Sequence, residues 1–169
     1  HVGVHGARSG GVMLSRPTTE QVLLDCRAEL LATIAPAVAE GPAKVAVQMM
    51  ENVLRNCAAR AAHEVAWMHE EGVVMAAFAE RVAASSLGTP EVDAAVDAYA
   101  RERSDSRHLD DACATYDLAG RAFGAALEAV LAGDGEEADH LHREGRQVLD
   151  LRLAHEREIM GEWAFVGRA

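Results

Sequence analysis

From Ala43 to Glu71 the chain reads AKVAVQMMENVLRNCAARAAHEVAWMHEE, with neither Gly nor Pro. Strands in globular proteins rarely exceed ten residues, so a run of this length that is rich in Ala reads as one long helix. Its seam of Val47, Met50, Leu54, Cys57, Ala61, Val65 and Met68 recurs at three- and four-residue spacing, the pattern of a core contact. The opposite side should then be plainly charged. It carries instead Val45, Met49, Asn52, Asn56, His63 and Trp67, a mixture of apolar groups, amides and an imidazole that implies a second cover: a helix, a subunit or a ligand. Gly72 follows, and either ends the helix or lets it continue through VVMAAFAERVAASS.

The rest of the chain is punctuated as helices too. Thr18 and Gln21 have the spacing of a capping box, which predicts a first helix to about Ala39, bent at Pro36. Gly41-Pro42 separates it from the long helix. Thr89-Pro90 places an N-cap before a proline at the first helical position and opens a short helix carrying Val92, Val96 and Tyr99. RERSDSR makes a turn. A fifth helix near Leu109 to Leu131 aligns Leu109, Cys113, Tyr116, Gly120, Phe123 and Leu127, and Asp134 with Glu137 predicts a second capping box for the last helix. Strand-like alternation and internal repeats are both missing. The expectation is an all-α, single-domain antiparallel bundle of five or six helices over residues 15–169, with 1–14 a flexible N-terminal extension or added leader.

A net charge of -11 argues against a phosphate-backbone partner, which needs a basic stripe, and against an anionic membrane surface. No apolar run has the length of a membrane span, and a cytoplasmic protein is expected. Cys26, Cys57 and Cys113 are odd in number and far apart, with no CxxC, so buried free thiols are expected rather than a zinc or redox centre.

The stretch AAHEVAWMHEEG carries two His-Glu pairs, yet the residue four beyond His63 is Trp67, so the spacing that lets two His reach one ion is missing. A di-metal bundle would need Glu-x-x-His motifs on two helices. Only Glu137 and His140 match that pattern, and Glu137 already serves the expected cap. They are the one weak metal alternative, and no cofactor is predicted. On the last helix Val148, Leu149, Ile159, Met160 and Trp163 define an apolar side, with Arg152, His155 and Glu156 in its middle. Charges on a packed face must be paired or put to use. Arg152 and Glu156, four apart, can pair with each other. If a polar pocket exists, these three facing Asn52, Asn56 and His63 are its candidates. No Gly-rich phosphate loop, GxSxG elbow or spaced Cys-His pair names a reaction.

Arg16-Pro17-Thr18, Leu23-Leu24, Leu30-Leu31, Pro36 and Asn52-Val53-Leu54 together resemble the start of a bacterial family of uncharacterised helical proteins met beside, or fused to, aminoglycoside-phosphotransferase-like kinases and acyl-CoA dehydrogenases. The resemblance covers Arg16 to Leu54 and departs at Lys44 and Val45, where that family has a His or an aromatic residue. It implies an accessory role in acyl or hydroxyacyl metabolism, with a kinase-like protein or an acyl-CoA dehydrogenase as partner, and carries over no catalytic residue. The occupied look of both mixed faces adds a homodimer to the expected partners. The contrasting expectation is an enzyme or small-molecule binder with a polar, metal-assisted pocket between helices.

Overall fold

A computed structural model describes residues 16–161, and every regular element among them is helical. The elements are α1 (Thr19–Glu29), a π-helical turn (Leu30–Ile34), α2 (Ala35–Ala37), α3 (Pro42–Ala83), α4 (Pro90–Glu102), α5 (Leu109–Ala132) and α6 (Glu136–Met160). The expected all-α class is therefore observed, as five helices if the interrupted first run counts as one. The expected N-terminal extension and Trp163 lie outside the described residues.

The predicted punctuation is largely in place. Thr18 N–H donates to Gln21 Oε1 at 2.9 Å and Gln21 N–H to Thr18 Oγ1 at 3.2 Å, which closes the first capping box. Thr89 accepts from Val92 N–H ahead of Pro90. The expected bend at Pro36 takes the form of the π turn, in which Ala35 N–H reaches back to Leu30 O. Proline lacks the N–H an α-ladder needs, and slack in the preceding turn accommodates the loss. The long helix does not stop at Glu71 but passes through Gly72 to Ala83. The second capping box does not form: α6 starts after Gly135, at φ +94°, and Glu137 accepts instead from the Ser86 hydroxyl. A partner distant in sequence outbids the local cap.

The chain divides into two compact units, the boundary falling inside α3 after Ala58. In the first, Arg27 and Glu51 join α1 to the early part of α3 at 2.5 Å, and Lys44 Nζ donates to Ala35 O at 2.6 Å. Among its described apolar residues only Leu30, Val47 and Ala58 are buried, and the buried Gln48 Oε1 finds no hydrogen-bond partner among the described residues. The predicted seam of α3 is correspondingly open here: Met50 and Cys57 are exposed. Cys26 is exposed and Cys113 half-buried, so the expectation of buried thiols fails. Among the described residues of this unit, no further helix lies over Cys26 and Cys57.

The second unit has a proper core. Met75, Phe78, Ala79 and Val82 of α3 meet Leu118, Ala122, Phe123 and Ala126 of α5, with Val92 and Tyr99 from α4 and Leu141 and Val148 from α6. Phe78 and Phe123 pack edge to face at 5.4 Å. Glu71, Gly72 and Phe78 meet Tyr116, Ala119 and Phe123 in rising order, so α3 and α5 run parallel. Arg81 pairs with Glu144 and Ser86 with Glu137, so α6 runs back against both. Gly145 permits that approach, because a Cβ there would stand 2.7 Å from Leu127 Cδ2 and 3.1 Å from Phe78 Cζ.

Candidate functional site

One charged residue is buried among the described residues: Glu71, 7% exposed. On α3 it lies four residues after Trp67 and four before Met75, in line with the core stripe. Tyr116 of α5 donates its hydroxyl to Glu71 Oε2 at 2.5 Å. From α6, Arg152 Nε donates to the Tyr116 oxygen at 3.1 Å and stands 3.4 Å from Glu71 Oε2, while His155 Nδ1 lies 2.7 Å from Glu71 Oε1. As a carboxylate Glu71 only accepts, so the hydrogen of that last bond sits on Nδ1. Nε2 faces Glu70 Oε2 at 3.9 Å.

His63 and Trp67, four residues apart on one face of α3, stack at 4.5 Å, and His155 covers the other face of Trp67 at 4.6 Å. The indole thus fixes the ring plane of His155 while Glu71 fixes its tautomer. The Tyr116 pKa is pushed up to about 12, first by burial and then by the bond to Glu71 and its negative charge, with Arg152 pulling the other way. Tyr116 is thereby held as a donor.

Beside this cluster is a hollow of about 220 Å³ whose rim includes Arg60, Glu64, Trp67, Glu71, Tyr116, Arg152, His155 and Glu156, with Met68 and Ile159 as its apolar part. A second hollow, of about 170 Å³, lies across α3 against His69, Gly72, Tyr99, Thr115 and the turn Ser104 to Arg107. Met68 borders both, its Sδ 3.9 Å from Cys113 Sγ. The His-Glu stretch of the sequence is thus a wall between two cavities, with His63 and Trp67 on one side and His69 on the other.

Of the residues the sequence singles out, Trp67, Arg152 and His155 converge, His63 joins through the stack, and Glu156 lines the hollow. Arg152 pairs with Glu71 rather than with Glu156, because the turn toward α3 finds an acid already buried. Asn52 and Asn56 belong to the other compact unit, where Asn52 Nδ2 donates to Gln48 O and its Oδ1 accepts from Arg55. Glu137 bonds Ser86 and His140 lies 3.7 Å from Glu144, and no group of three or more His, Cys, Asp or Glu converges as metal ligands among the described residues. The sequence reading missed Glu71 and Tyr116. The signal for Glu71 was the core stripe Met75, Phe78 and Val82 extrapolated back through Gly72, and for Tyr116 a hydroxyl on a packed face that must find a partner.

No protein-family model, curated protein or solved structure matches this chain. Among the described residues no helix is long and apolar enough to cross a membrane.

Proposed function

We propose that the protein is a helical small-molecule binder whose ligand enters the hollow beside Glu71, takes hydrogen bonds from Arg152 and exchanges a proton with His155. The observation that carries this reading is the buried Glu71, which accepts from Tyr116 and His155 and pairs with Arg152 at the edge of a cavity. A cluster of this kind is a poor way to stabilise a bundle, since apolar residues of similar volume are commonly as good or better by about 1–4 kcal/mol. Carboxylate-held imidazoles are, by contrast, well suited to proton transfer. The test is heteronuclear NMR of the protein titrated in turn with small carboxylates, amines and sugars. Saturable shifts of the Trp67 indole N–H and the His155 ring, lost in Arg152→Gln, are expected for one class. Unmoved signals across all three contradict the reading.

A second reading, an accessory protein acting through protein contacts, is favoured by the open apolar surface of residues 16–58. On this reading the partner is of the class that the resemblance over Arg16 to Leu54 implies, a kinase-like protein or an acyl-CoA dehydrogenase. Calorimetric titration of such an enzyme with this protein would show saturable binding on this reading and heats of dilution alone if it is wrong.

A further inference from the structure

We propose that the outward surface of residues 16–58 is an interface with a second copy of this chain. The inference is independent of the pocket near Glu71. On the first helical run Val22, Leu24, Leu31 and Ile34 are each more than two fifths exposed. On α3, Val45, Met49, Met50 and Val53 are too, and Met49, Met50, Val53 and Leu54 edge an open apolar hollow. Eight large apolar side chains therefore face outward in a unit that buries three. Two helices cannot enclose a core, whereas a four-helix bundle does. A second copy supplies the missing pair. A stable interface takes about 20–30 residues from each side, which a two-helix unit can provide.

Charge decides between a copy and another partner. Residues 59–161 hold 10 Arg and 21 Asp plus Glu, a balance of 10 − 21 = -11, whereas residues 16–58 hold 4 basic and 5 acidic residues, a balance of -1. Copies of this chain therefore meet with the least net charge through this segment. Three of its four cations are also occupied at home: Arg27 holds Glu51, Lys44 caps Ala35 and Arg55 bonds Asn52. The surface is close to neutral and apolar, and presents no charge pattern for a strongly charged partner to complement. An identical surface meets it at no electrostatic cost.

Sedimentation velocity on the full chain at micromolar concentration tests this. The expected mass is twice 18.0 kDa. The double variant Met49→Glu/Val53→Glu should sediment as a monomer while keeping the near-ultraviolet signature of the core around Phe78, and Leu149→Glu/Leu153→Glu on α6 should remain a dimer. A wild-type monomer overturns the proposal. So does a dimer that survives both Met49→Glu/Val53→Glu and Val22→Glu/Leu31→Glu, or a monomer that dimerises only when residues 1–14 are removed, which would give the surface to the chain's own N-terminal segment.

Discussion

Glu71 accepts from Tyr116 and His155 and pairs with Arg152, and its value to the fold depends on all three remaining. Glu71→Leu strands a guanidinium, a phenol and an imidazole, and should cost about 3–5 kcal/mol in urea unfolding. Tyr116→Phe deletes one donor and should cost only about 1–2 kcal/mol. Replacing Glu71, Tyr116, Arg152 and His155 together by apolar residues should restore most of the loss, and a quadruple variant weaker than Glu71→Leu alone would make the cluster a structural necessity. Tyr116 also sets a pH dependence. Its folded pKa of about 12 lies above the ordinary 10.0, so the folded state keeps a proton that the unfolded state sheds. The stability this contributes is complete below pH 10 and lost as pH rises from 10 through 12. Phenolate absorbance should show one of the two tyrosines ionising near 12 in wild type and missing in Tyr116→Phe. That Arg152 and His155 must find polar partners was legible, because charges interrupt an apolar stripe within one helix. Their partner was not, because it required knowing that α3 survives Gly72.

At the scale of elements, glycines separate local rules from packing. Gly72 has only an ordinary contact, 3.8 Å to Ala119 Cβ, and Gly120 nothing within 4 Å. Gly72→Ala and Gly120→Ala should each raise stability by about 0.5–1 kcal/mol through helix propensity. Gly145→Ala meets Leu127 and the fully buried Phe78, and should lower it by about 1–3 kcal/mol. Thermal melts of the three variants check both signs. The same distinction governs what was readable. Caps at Thr18 and Thr89 are written within four consecutive residues and form as written. The cap at Asp134 fails because Ser86 claims Glu137, a contact no local pattern announces. The seam of α3 is readable in period but not in burial, since Met50 and Phe78 follow the same periodicity and only Phe78 has helices laid over it.

For the whole molecule, the account is one of unequal self-sufficiency. Residues 59–161 hold their own core and the Glu71 cluster, while residues 16–58 expose most of what they should bury. Such a segment is stabilised by association and its stability should therefore follow protein concentration. Hydrogen exchange read by mass spectrometry across a hundredfold dilution measures this directly. The account predicts slow, concentration-independent exchange for Met75 to Val82 and Leu118 to Val130, and exchange in Val22 to Val53 that quickens as the protein is diluted. Equal protection of both regions at every concentration would contradict it.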